Sequence, residues 1–115
     1  MKGEEARLRL KEIFGPQIGF NKDFDKHIEL LKDNMALDFL DWCRDAKDNK
    51  ELGSVPRKKE FKHLYVFFRK IASDVRAVLI KKQNSNFIMV VLSDHKQYDD
   101  ERTRLGYKRS SYYDS

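Results

Sequence analysis

The chain has 115 residues, a formal charge of +5, 40% apolar and 37% charged side chains, enough for one domain with little room for a second core. Eight Phe, five Tyr and one Trp can fill a small core and argue against the disorder that so much charge would otherwise imply. No apolar run approaches the roughly 20 residues of a membrane span and no apolar stretch of a signal peptide follows Met1. One cysteine and three histidines give neither an internal disulfide nor a convincing zinc set. A cytoplasmic protein without membrane contact is expected.

Along the chain, Ala6, Leu10 and Ile13 fall at helical spacing behind Glu4 and Glu5, which predicts a helix over residues 4–14. Gly15-Pro16 ends it, and residues 17–20 read as extended. Phe24, Ile28, Leu31 and Met35 then make one apolar face, and Ala36, Phe39, Leu40 and Cys43 a second. Asp33-Asn34 interrupts them, with Asn34 a candidate N-cap, so two consecutive helices or one bent helix are expected over residues 22–48. Cys43 reads as a small core hydrophobe rather than a reactive thiol. His27, among Asp and Glu on its helix, reads as surface.

The polar stretch 48–59 contains Gly53, Ser54 and Pro56 and closes on Arg57-Lys58-Lys59. Beyond it the period changes to two. Residues 64–69, 75–81 and 87–92 read as strands, separated by the turn signals Ser73-Asp74 and Gln83-Asn84-Ser85-Asn86. Turns this short favour an antiparallel meander. Ser93-Asp94 offers N-cap chemistry for a last helix over residues 94–105, which Gly106 stops. The expected fold is α+β: a small antiparallel sheet, made of a three-stranded meander plus a short N-terminal strand, with helices packed on one face. It forms a single domain over 1–115, with an N-terminal helical extension (1–16), a core (17–108) and a flexible tail (109–115).

Charge is unevenly placed. Residues 1–55 carry 10 basic and 12 acidic side chains, whereas residues 56–115 carry 14 basic and 7 acidic, a net of +7. The second half is a candidate polyanion surface. The common catalytic fingerprints (GxSxG, P-loop, GxGxxG, HExxH, CxxC) are missing. Asp94, Asp99, Asp100 and Glu101 come nearest to a metal-nuclease cluster, but acids in the first turns of a helix have a sufficient dipole explanation.

What stands out is an ordered basic and aromatic set. Arg69 closes the first meander strand, Arg76 opens the second, Lys81-Lys82 close it, and His95, Lys96 and Tyr98 follow the third. Arg69 and Arg76 are expected across the hairpin from one another, where two close arginines would suit a phosphate. The bland alternative is that each is an edge-strand charge, that His95 faces water and that Tyr98 packs with Leu105. On the functional reading, a neutral His95 imidazole beside a phosphate is a general base, and His63 is a weaker candidate for the same site.

In that order the chain resembles the RelE/ParE superfamily of toxin–antitoxin toxins, nearer its RelE/HigB-like ribonucleases. The resemblance covers residues 18–108: Ile18-Gly-Phe-Asn-Lys-Asp-Phe24 as first strand and helix, Pro56-Arg-Lys-Lys-Glu-Phe61 as basic loop, Leu64-Tyr-Val-Phe-Phe-Arg69 and Val75-Arg-Ala-Val-Leu-Ile80 as strands, and Ser93-Asp-His-Lys-Gln-Tyr98 after the last strand. It implies a metal-independent, cofactor-free endoribonuclease that cuts messenger RNA on the ribosome by 2′-hydroxyl attack on the adjacent phosphate, and that is held by a cognate antitoxin. Carried over by position, Arg76, His95, Tyr98, Arg69 and Lys96 are the expected catalytic set. Arg57, Lys58, Lys59, Lys62, Lys81 and Lys82 are the expected RNA contacts. The alternatives are a non-catalytic nucleic-acid-binding or interaction module and a gyrase-directed toxin of the same fold. The helix over 4–14 is an addition to the family plan, and the C-terminal segment is unusually long.

Overall fold

The computed structural model describes residues 1–109, so the tail expected over 109–115 lies, apart from Arg109, outside the described residues. The elements run α1 (Gly3–Phe14), β1 (Ile18–Phe20), α2 (Phe24–Leu30), α3 (Asp33–Lys47), a 3-10 turn (Lys59–Phe61), β2 (Leu64–Ala72), β3 (Val75–Lys82), β4 (Ile88–Ser93) and α4 (His95–Leu105). The fold is α+β. β2, β3 and β4 form the meander, in a sheet of order β1-β4-β3-β2. β1 differs from expectation in direction: it pairs with β4 in parallel, Ile18 opposite Ile88, so the sheet is mixed. Asn21 prolongs that pairing. Its side-chain amide donates to the Leu92 carbonyl at 2.7 Å and accepts from the Leu92 N–H at 3.0 Å.

Alternation along the strands sorts the core into two layers. Phe67, Ala77, Leu79, Val90 and Leu92 face α1, α2 and α3, and pack with Leu10, Phe24, Ile28, Phe39, Leu40 and Cys43. Val66, Val78 and Ile80 face the other way and pack with Tyr98 and Leu105 of α4. Helices 22–48 therefore cover one face of the meander as the periodicity implies, and α4 returns across the opposite one. Asp94 caps α4 by accepting from the Gln97 N–H at 2.8 Å. Gly106 ends it in the left-handed region (φ 94°), where a side chain would be strained.

Three local expectations change. The break between α2 and α3 falls at Leu31-Lys32, because Leu31 turns extended to bury itself in the core. Asn34 thus lies inside α3, whose N-cap Lys32 makes no side-chain cap. β2 continues past Arg69 to Ala72. His27 is buried, with Nδ1 2.9 Å from the Asp23 carbonyl, which satisfies a ring nitrogen that would otherwise be costly to bury.

The N-terminal helix is part of the main core rather than an ornament on it: Ala6 and Leu10 are fully buried, and an Arg7–Asp25 ion pair ties α1 to α2. Leu10→Ala should therefore destabilise the whole domain by about 2–5 kcal/mol, read as a single shifted urea transition. A separate early transition confined to α1 would contradict this.

Candidate nucleic-acid interface

The β2–β3 register decides which cations meet. Ala72 pairs with Val75, but Lys70 pairs with Arg76 and Arg69 with Ala77, so Ile71 is an extra, bulged residue on β2. A one-residue slip sends every side chain beyond it to the other face. Arg69 and Arg76 are consequently on opposite faces and do not share a phosphate, contrary to the sequence expectation. Arg69 lies on the α3 side, its guanidinium 6.0 Å from the Trp42 ring centroid. The partner across from Arg76 is Lys70.

Arg76 is only 3% exposed. One guanidinium nitrogen donates to the Ala72 and Ser73 carbonyls at 2.7 and 2.8 Å, clamping the turn that carries the bulge, while Nε is buried without a partner. Beside it in the sheet stands Ser93, one residue before the α4 cap. From that helix His95 Nε2 lies 3.3 Å from buried Asp99, and Arg109 reaches the same carboxylate at 3.7 Å. One turn on, Arg102 lies 4.6 Å from the Phe68 ring, 5.6 Å from Tyr98 and 5.8 Å from Tyr107, and its Nε donates to the Lys108 carbonyl. This flank of α4 thus holds His95 and Arg109 at the Asp99 carboxylate and Arg102 one turn on, with buried Arg76 and exposed Lys70 on the sheet face that α4 covers. Lys96 is exposed on α4 next to His95.

Tyr98 lies beneath the helix. It is 2% exposed and meets Phe68 edge-on at 5.7 Å. Burial raises its phenol above the ordinary value, against the opposing pull of Arg102, so it stays protonated at neutral pH. The expected basic contacts lie elsewhere. Arg57, Lys58, Lys59 and Lys62 are exposed on the loop before β2, and Lys58 packs against the end of α4 so closely that a Cβ on Gly106 would come within 2.8 Å of it. Lys82 closes β3 at that same end of the sheet, about 20 Å from Arg76 at strand spacing. Lys81 projects to the opposite face, into the layer of Tyr65 and Ile88. His63 also sits at this far end, its carbonyl accepting from Gln83 N–H, and does not join His95.

Sequence reasoning did not pair Asp99 with His95, having weighed it only within a metal cluster, and it missed Arg102 and Lys70. The i, i+4 spacing of His95 and Asp99 on a helix was the available signal for the first. Asp100 and Glu101 turn to the other flank of α4, lining a groove with Asn21 and Asp23. Among the described residues no three His, Cys, Asp or Glu side chains gather to hold a metal ion, and no helix is long and apolar enough to cross a membrane.

Two outcomes follow from these environments. Arg76→Ala should cost roughly 2–3 kcal/mol, because two charge-assisted bonds to the turn carbonyls are lost, as urea denaturation would read. Burial also pushes the Cys43 thiol up, as it does Tyr98. Both groups ionise more easily unfolded, so their contribution is complete below the free-thiol value of about 8.5 and is lost progressively as pH rises from there toward the raised folded values. The urea midpoint should fall between about pH 8 and about pH 10.5, and fall less in Cys43→Ala.

A scan of protein-family models and searches of curated proteins and of solved structures found no match to this chain.

Proposed function

We propose that the chain is a RelE-like toxin, a metal-independent endoribonuclease directed at ribosome-bound messenger RNA and restrained by an antitoxin in the cell. The observation that carries the reading is the half-exposed His95 held 3.3 Å from buried Asp99 on a flank where Arg76, Arg102, Arg109 and Lys70 concentrate positive charge. The order strand, two helices, three strands, helix from Ile18 onward supports it, because it is the order on which the resemblance rests.

In this reading the cations draw the phosphate backbone to the α4 flank. His95 takes the proton of the 2′-hydroxyl, and Asp99 orients the ring and stabilises the imidazolium. The 2′-oxygen bonds to phosphorus, the bond to the 5′-oxygen breaks, and Lys96 supplies the proton that the leaving oxygen needs. Arg76 and Arg102, already fixed, favour the extra negative charge of the transition state without reorganising. Tyr98 serves packing. The loop cations Arg57, Lys58, Lys59 and Lys62, with Lys82, bind RNA or ribosome farther along the same face.

A non-catalytic binding module is the second reading, favoured by the burial of Arg76 and Tyr98. Purified protein incubated with translating ribosomes separates the two. On the catalytic reading His95→Ala lowers message cleavage by about 10²–10⁴-fold, Asp99→Asn lowers it less, and Tyr98→Phe stays within about tenfold of the parent. Cleavage that survives His95→Ala, or a parent that binds RNA salt-sensitively without cutting it, leaves the binding module ahead.

A further inference from the structure

On the face away from α4, the end of α1, the end of α3 and the sheet enclose a cavity of about 150 Å³. Phe14, Tyr65, Phe67 and Ile88 make its apolar lining, and Lys47 and Lys81 stand at its rim. Both lysines are exposed, and among the described residues neither has a carboxylate within ion-pair distance. Lys47 also borders a separate depression, which it shares with Asp48, Glu12, Arg9 and Arg44. The backbone carbonyls that end α3 accept from Asp48, Asn49 and Lys50 N–H groups, which quenches the negative end of the helix dipole near the rim. The lining of the cavity itself holds no acidic side chain to answer the two positive charges.

Size narrows the occupant. A cavity of this volume takes one benzene-sized group, whereas sites for whole small molecules run to about 300–1,000 Å³. Next to the rim, Leu52 is 94% exposed, and the N–H of the following Gly53 donates to the Tyr65 hydroxyl at 3.2 Å, so apolar surface continues outside the cavity. A single buried side chain with contacts beyond it is how an extended partner anchors.

We propose that this cavity receives one apolar side chain of an acidic segment from a partner protein, with Lys47 and Lys81 pairing to carboxylates on either side of that anchor. The site is independent of the ribonuclease reading, since it lies on the other face of the sheet. It also gives Lys81 a role apart from RNA.

The probe is a hexapeptide with one central Phe and Glu at the remaining positions, titrated into the isotope-labelled full chain and followed by amide chemical shifts. Shifts should cluster at Ala46, Tyr65, Phe67 and Ile88. Putting Ala in place of the Phe should weaken binding at least about tenfold, and Lys47→Glu or Lys81→Glu should each weaken it about fivefold or more; their unperturbed spectra would show that the fold is kept. The proposal is overturned if the Ala peptide binds equally well, or if both lysine variants bind like the parent. It is overturned too if a single-stranded RNA shifts the same amides more strongly than the peptide, or if 3-phenylpropionate alone binds as tightly. RNA cleavage by Lys47→Glu at the parental rate, beside lost peptide binding, would show that the two faces act separately.

Discussion

The structure depends on β3 being covered on both faces. Val75 through Ile80 are six consecutive buried residues, with α1–α3 on one side and α4 on the other. Such a strand has no position where a charge can point to water. Arg76 is nonetheless there, and a buried guanidinium is costly unless its donors are answered. The answer is local: one of its nitrogens folds back on the carbonyls of Ala72 and Ser73, while Nε stays without a partner. That contact accompanies the bulge at Ile71, and the bulge sets the register of the rest of β2. The sorting of cations between the two faces thus traces to how one buried arginine is satisfied.

The same sorting recurs around α4. Its inward residues Tyr98 and Leu105 close the second core layer. One flank carries His95, Asp99 and Arg102. The other carries Gln97, Asp100, Glu101 and Arg104, facing Asn21 and Asp23 across a groove. The first flank is mainly cationic, whereas on the second Asp23, Asp100 and Glu101 are mixed with Lys22 and Arg104, so the two sides of one helix differ in charge. Aromatic rings hold Arg102 in place at the border, and a guanidinium stacked this way keeps its charge outward at little entropic cost.

Much of this was legible in the sequence. Helical spacing located α1 and α3, the change to period two located the meander, and Asp94 and Gly106 marked both ends of α4, because each of those signals is local. The parallel placement of β1 was not legible, since a three-residue strand carries no directional pattern and its partner lies some 70 residues away. The faces of Arg69 and Arg76 were not legible either. A two-residue turn at Ser73-Asp74 with regular pairing would put them on one face, and only the bulge, a tertiary compromise, separates them. His27 misled for a related reason: its chain neighbours are acidic, but its ring satisfies itself on its own helix and can be buried.

Arg76 is where clamp and chemistry have to be reconciled. Two of its donors are spent on carbonyls, and with 3% exposure it offers a substrate almost no surface to touch. A phosphate grip of the kind two converging arginines would make is therefore out of its reach. A fixed charge need not touch to act, because in a weakly screened interior its field extends over several ångströms. Tyr98 already feels it, since Arg76 is among the charges that pull its phenol downward against burial. Ser93, opposite Arg76 in the sheet, stands two residues before His95, so the charge lies beneath the start of α4. Arg76 thus contributes positive potential from below, while Lys70, Lys96 and Arg109 carry theirs exposed at the surface. That division lets one residue hold the hairpin and still favour an anion at the surface.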